Sequence, residues 1–312
     1  MRTAVLAVRR RLARGLVHVL YVLGFVLTVL FVLLRLSGDP VALLLPENAT
    51  AGEIATMRRA LGLDRPLAVQ YAAFLGGMLT LRFGESLRYG EPALSLVLNR
   101  LPPTLELTGA AAALAVVVAL PVGLWSALHR GKIRSVFLMG GALLGQSMPA
   151  FWLGLLLILI FAVQLRLLPS FGRGGITTLI LPAVTLGAFM MAKLARLVRS
   201  GVLEVLSQDY IRTALAKGLP RGRTIWRHAL RNALLPVVTV LGLDVGHLLG
   251  GAVIVETIFA WPGMGQLLVQ SILASDYPVV QATVFLVTIL VVTISLIVDA
   301  VYALLDPRIE AA

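Results

Sequence analysis

Cysteine is absent from this 312-residue chain, and charged side chains make up only 13% of it. The first absence removes disulfide frames and thiolate metal sites. The second excludes an ordinary soluble domain, in which about a quarter of the residues are charged. Hydrophobic residues reach 59%, so the bilayer is the expected solvent. Catalytic constellations are missing too. His18, His129, His228 and His247 fall in different segments, neither H-E-x-x-H nor G-x-S-x-G occurs, and no serine is paired with a base. Neither a catalytic residue nor a metal site is expected. The net charge of +12 does not indicate nucleic acid, because the cations stand between apolar runs rather than on a folded polar surface.

A hydrocarbon core about 30 Å thick needs roughly 20 apolar residues per helix. Six runs qualify: Leu16–Leu34, Leu105–Leu128, Val136–Val163, Thr177–Val198, Leu234–Phe259 and Val280–Leu304. The first follows Arg9, Arg10, Arg11 and Arg14; it is longer than a signal-peptide core and lacks a small-x-small cleavage site, so it reads as a retained anchor. Segment 199–231 carries seven cations against two acids, whereas segment 37–100 carries six of each. That asymmetry places segment 199–231 and both termini on the cytoplasmic side. The expected layout is an all-α membrane protein: residues 1–36 as N-terminus and first span, 37–104 as an extracytoplasmic segment, and 105–312 as a five-span core with a cytoplasmic loop at 199–233.

The outer segment has helix signals of its own. Ile54, Met57, Ala60 and Leu61 lie at helical spacing, with Thr50 as N-cap and Gly62 near the end, which predicts a small cap between the first two spans. A second outer piece, Trp261–Pro278, has apolar Leu267, Leu268, Ile272 and Leu273 and predicts a short helix at the membrane surface. The run "GAAAALAVVVAL" in the second span suits close helix packing.

Between the fourth and fifth spans a few residues would suffice as a connection, yet about thirty are present. Within them "SQDYIRTALAKGLPRG" is punctuated as a helix of about three turns. Ser207 is the expected N-cap, Asp209 lies in the first turn, Lys217 in the last, Gly218 can take the left-handed position, and Pro220 forbids continuation. Tyr210, Ala214 and Lys217 share one stripe; Ile211, Leu215 and Gly218 share the next. A second amphipathic helix is expected from Thr224, with Arg223, Arg227 and Arg231 on one face and Ile225, Ala229, Leu230, Ala233 and Leu234 on the other. Caps at both ends and an apolar stripe point to a protein-docking element rather than a lipid-facing tether.

Ionisable groups at membrane depth are functional candidates. Asp244 and His247 stand at i, i+3 on the fifth span, where they either line a translocation path or hydrogen-bond each other. Glu256, in "ETIFAWPGMG" with Trp261, Pro262 and Gly263, is expected to position an outer loop or gate. Asp299 is expected to pair with a neighbouring helix or loop. Lys193 and Arg196 are within snorkelling distance of the cytoplasm and call for no special role.

The stretch "DYIRTALAKGL…RHALRNALLPVVTVLGL", together with "SGDPV", "ETIFAWPGMG" and "YALLDPRI", resembles the binding-protein-dependent ABC permeases, in their dipeptide, oligopeptide and nickel branch. The loop is similar to that family's "EAA" loop: Gly218 matches its glycine, Ala214 its second alanine and Leu230 one of its late positions, while Arg212 and Thr213 replace the leading E-A. The resemblance implies a type I importer permease fold with six spans in a bacterial or archaeal plasma membrane. It further implies that Ser207, Asp209, Tyr210, Ile211, Arg212, Thr213, Ala214, Leu215, Lys217 and Gly218 form the element coupling to an ATPase. Implied partners are a second homologous permease subunit, two ATPase subunits and an extracytoplasmic solute-binding protein, with surrounding lipid. The chain lacks G-x-x-x-x-G-K-[ST], so ATP and magnesium belong to the partner ATPases and no cofactor is expected here. Peptides are the expected cargo, with nickel or a metal chelate, glutathione or sugars as alternatives. From other classes, an ion-coupled carrier would show repeats and several midplane ligands, and a membrane-embedded enzyme would show clustered acids and bases.

Overall fold

The computed structural model describes residues 2–36, 41, 49–60, 62–230 and 233–305. Asp39, Arg231 and Arg308, and the side chains of Arg9, Arg10, Arg11, Arg14, Arg227, His228 and Asp299, lie outside that description. The described chain is helical: α1 (Arg2–Leu36), α2 (Ala51–Ala60), α3 (Leu67–Leu79), α4 (Ala93–Leu128), α5 (Ile133–Ser147), α6 (Ala150–Leu157), α7 (Ile176–Leu206), α8 (Asp209–Ala216), α9 (Arg221–Thr224), α10 (Leu235–Ile258), α11 (Met264–Leu273) and α12 (Tyr277–Leu305). It divides into two compact units, residues 1–102 with 267–293 and residues 103–266 with 294–312.

Four helices are long and apolar enough to cross a membrane alone: Val19–Leu36, Ala93–Leu128, Ile176–Leu206 and Tyr277–Val298. Two bent pairs, Ile133–Ser147 with Ala150–Gln164 at 112° and Pro236–Gly242 with Asp244–Ile258 at 41°, give up to six when each pair is counted as one span. The run expected as one rod over Val136–Val163 is therefore a sharp helical corner. Pro149 has no amide to donate, and Met148 before it is extended at φ −83°, ψ 132°, so the helix stops at Ser147 and restarts at Ala150 in a new direction. Its second arm ends in a π-helical stretch, Ile158–Gln164.

In the first unit, α2 opens with a complete capping box. Glu53 Oε2 accepts from Thr50 N (2.7 Å) and Thr50 Oγ1 (2.8 Å), while Glu53 N donates to Thr50 Oγ1 (3.4 Å). It closes with Gly62 at φ +66° and the bonds Leu63 N to Arg58 O and Gly62 N to Arg59 O, the Schellman pattern. Gln70 Nε2 then ties the turn to α3 by donating to the carbonyls of Leu63 and Arg65. α3 was not legible as a helix; it packs on α1 through Phe31, Tyr71 and Phe74, with a Thr28–Tyr71 hydroxyl contact of 2.6 Å. Loop Gly84–Pro92 is fastened at Asp276, which is fully buried and accepts from Ser86 Oγ and from Leu87 N.

In the second unit, α4 and α7 pack at backbone distance. Ala111, Ala115, Ala119, Gly123 and Ala127 recur every four residues on α4, and the alanines among them are 0–3% exposed. A Cβ on Gly187 would lie 2.8 Å from the Ala111 carbonyl oxygen, and one on Gly123 would lie 2.6 Å from that of Ala195. Only glycine fits at either crossing, which gives the alanine-rich run its role.

Candidate functional site

The segment between α7 and α10 differs from expectation at its start. α7 continues past Val198 to Leu206 and consumes Ser207 as its C-cap, at φ −82°, ψ −13°, with Ser207 Oγ donating to Glu204 O at 2.7 Å. Ser207 is thus not the N-cap of the next helix. That position falls to the extended Gln208, without a side-chain cap bond, and α8 is a little over two turns rather than three. Its far end is as the sequence indicated. Gly218 sits at φ +81°, Leu219 N donates to Ala214 O at 3.2 Å and Gly218 N to Leu215 O at 3.0 Å, leaving Lys217 as C-cap.

The faces of α8 are unequal. Ile211 is 2% exposed and Ala214 half-buried, so this edge faces the protein, where α8 packs on α9. Asp209, Arg212, Thr213 and Ala216 are exposed on the opposite side, flanked by exposed Tyr210 and Lys217; Leu215 is exposed at the margin. Arg212 reaches Asp209 at 3.4 Å, but both are mostly in solvent, so the pair orders the surface more than it stabilises the helix. Beyond Pro220 the expected amphipathic α-helix is replaced by the short α9 and a π-helical stretch, Ile225–Leu230. Thr224 and Leu230 are buried there and Trp226 is exposed.

The two intramembrane candidates part company. Asp244 is buried and accepts from Lys193 Nζ at 2.8 Å, whereas His247, one turn on, is exposed. The partner of Asp244 is therefore a cation on α7, not the histidine on its own helix. Asp244 Oδ2 and the Nε atoms of Arg196 and Arg199 are buried without a hydrogen-bond partner among the described residues.

Glu256 organises the loop that follows α10. Fully buried, it accepts from Thr104 Oγ1 at 2.7 Å, Gly265 N at 2.7 Å and Gln266 N at 3.1 Å. The last two bonds place a carboxylate on the N-terminus of α11, where free amides and the helix dipole favour negative charge. Thr104 Oγ1 accepts in turn from Met264 N, and Trp261 Nε1 donates to Pro103 O, both at 2.8 Å. Gly263 and Gly265 are glycines for a steric reason: a Cβ on Gly263 would overlap the Glu256 carboxylate, and one on Gly265 would lie 2.5 Å from Val253 Cα. Trp261 is fully buried, and the guanidinium of Arg173 lies 6.0 Å from its ring centroid while pairing with Glu106.

Apolar helical spans and a small capped helix with an exposed polar face go together with family sequence models that match most of the chain. Residues 119–311 match the model described as "Binding-protein-dependent transport system inner membrane component", and residues 5–108 match the model of that family's N-terminal part. The chain belongs to this family. It is the permease subunit of an ABC importer. This permease is 42% identical over 310 residues to the di/tripeptide transport system permease protein DppB of Pseudomonas aeruginosa, covering 90% of this chain and 92% of the relative. It is 41% identical over 296 residues to the glutathione transport system permease protein GsiC of Escherichia coli K12, covering 95% and 96%. Two solved structures share its fold: the inward-facing MetNI methionine ABC transporter (TM-score 0.59, 22% identity, 69% of this chain and 99% of that one) and an amino acid ABC transporter (TM-score 0.51, 17% identity, 67% and 93%).

Sequence reasoning missed four residues of the permease. Snorkelling does not describe Lys193, which pairs with Asp244; an unmatched Asp on a neighbouring apolar helix is the signal for such a partner. Thr104, Glu106 and Arg173 meet the Glu256 loop only through the fold, and nothing in their local spacing marks them.

Proposed function

We propose that this permease is the transmembrane pathway subunit of an ATP-driven importer of short peptides, with chemistry confined to separate ATPase subunits. The observation that carries the coupling role is the exposed face of α8, a rigid helix capped by a Schellman turn and joined to the 31-residue α7 through Ser207 and Gln208 alone. Its footprint, Asp209, Arg212, Thr213 and Ala216 between Tyr210 and Lys217, suits a groove on a folded protein. Peptide cargo is supported by the names of the relatives, since a dipeptide, a tripeptide and glutathione share a backbone amide between charged ends. In this reading Asp244 and His247 belong to the translocation path, with His247 as its exposed member on α10, and the Glu256 loop acts as an outer positioning element.

In this reading the assembly holds a second homologous permease, two ATPase subunits that bind ATP and magnesium, and an extracytoplasmic solute-binding protein. Both termini and α8 lie on the cytoplasmic side. Reconstitution tests it: short-peptide uptake into proteoliposomes should require the co-expressed ATPase and ATP. Uptake by this chain alone would overturn the reading in favour of a self-sufficient carrier. Ala216→Glu should abolish co-purification of the ATPase while leaving membrane insertion intact, and normal co-purification would remove α8 from the interface.

A further inference from the structure

A cavity of about 430 Å³ in the first unit is lined by four arginines, Arg35, Arg59, Arg65 and Arg82, and by no carboxylate among the described residues. Its position is set by two helix ends. Arg35 closes the apolar stretch Val19–Leu36, and Tyr277 opens Tyr277–Val298. The cavity therefore lies where spans leave the hydrocarbon, at the level of lipid headgroups.

Its walls are amphiphilic. Phe31, Phe74 and Met78 supply an apolar side, with the Arg35 guanidinium 5.3 Å from the Phe31 ring centroid. The Tyr277 hydroxyl and Gln70 Oε1 are buried without a hydrogen-bond partner among the described residues, and both residues line the cavity. Gln70 Nε2 is already committed to the carbonyls of Leu63 and Arg65, which fixes the turn carrying Arg65. Four cations, an unpartnered hydroxyl and an adjoining aromatic wall match a phosphodiester with acyl chains attached. Guanidinium groups bind phosphate oxygens in bidentate fashion, and the apolar wall accommodates the start of a chain.

We infer that this cavity is a binding site for the phosphate of an anionic phospholipid. The site belongs to the first unit alone and stands apart from the transport reading. A free phosphate would use the same arginines, and the two sources differ in whether the apolar wall contributes.

The test is lipid retention measured by native mass spectrometry on the purified, delipidated importer complex. Phosphatidylglycerol should be retained about tenfold better than phosphatidylcholine, and the double variant Arg59→Gln/Arg65→Gln should weaken retention about 30-fold. Both arginines are solvent-exposed, so the variant should fold; Arg59→Lys/Arg65→Lys, which keeps the charge and loses the bidentate fork, should fall between the wild type and the glutamine variant. Inorganic phosphate at about 10 mM should fail to displace the lipid if the acyl wall contributes. Equal retention of the two lipids, an unchanged preference in the glutamine variant, or displacement by inorganic phosphate would each overturn the assignment, the last in favour of a free-anion site.

Discussion

Lys193 Nζ donates to Asp244 Oδ1 across 2.8 Å and ties α7 to α10. The aspartate side chain is 10% exposed and the lysine 38%, so the carboxylate is the group that suffers when the pair is broken. Lys193→Met should destabilise the purified permease by about 3 kcal/mol, at the lower end for buried pairs because the lysine keeps some solvent. The double variant Lys193→Met/Asp244→Leu should recover most of that loss in thermal unfolding. Additive losses in the cycle would show that the two side chains do not act as a pair.

Gly218 offers a second test, because a positive φ at this position suits glycine and tolerates asparagine. Open space surrounds it, so any penalty is conformational rather than steric. Gly218→Asn should retain ATPase association and transport, and Gly218→Val should lose about 1–2 kcal/mol of local stability, lowering coupled ATPase activity. Equal coupling in the two variants would mean that the Schellman turn does not set the pose of α8.

The capping box of α2 predicts a pH dependence. Bonds from the Thr50 amide and then the Thr50 hydroxyl hold the Glu53 carboxyl below its ordinary pKa. A depressed folded-state pKa gives stability that is present above the ordinary carboxylate value, about 4.3, and lost as pH falls through the lower folded value. Hydrogen exchange at the first amides of α2, corrected for intrinsic rate, should be unchanged from pH 7 to 5 and should accelerate below pH 4. Thr50→Val should exchange quickly throughout and lose that pH step; retention of the step would assign it to another group.

Replacing Gly187 should separate α4 from α7. Gly187→Leu forces a side chain against the Ala111 backbone, a clash that rotamer changes cannot relieve. Overpacking of this kind costs about 1–3 kcal/mol, read as a lower unfolding temperature of the purified protein. Gly141→Leu, at an open position on α5, should cost much less. Indistinguishable effects would show that the helices do not meet at Gly187.

What the sequence made legible followed from local chemistry. Apolar length marked the spans, and glycine and proline marked the turns at Gly62 and Gly218, because a positive φ is a property of one residue. The corner at Met148–Pro149 was signalled by its proline but overridden by continuous hydrophobicity on both sides. Ser207 failed as a cap because a neighbouring helix claimed it, an outcome decided by where α7 stops rather than by serine itself. Lys193 with Asp244, and Thr104 with Glu256, are separated by 51 and 152 residues. Pairings at such separation depend on topology, which spacing along the chain does not encode.

The stripe from Ala111 to Ala127 has a mechanical consequence. Where two helices meet through long side chains, rotamers absorb small displacements; α4 and α7 meet at Gly187 against the Ala111 backbone and at Gly123 against the Ala195 carbonyl and the β-branched Val198, which leaves little such cushion. α7 spans about 46 Å at 1.5 Å per residue and ends two residues before α8. In the proposed coupling, a push on α8 therefore travels along a stiff beam through the Gly123 and Gly187 contacts as far as Pro182, where α7 gives up a backbone hydrogen bond.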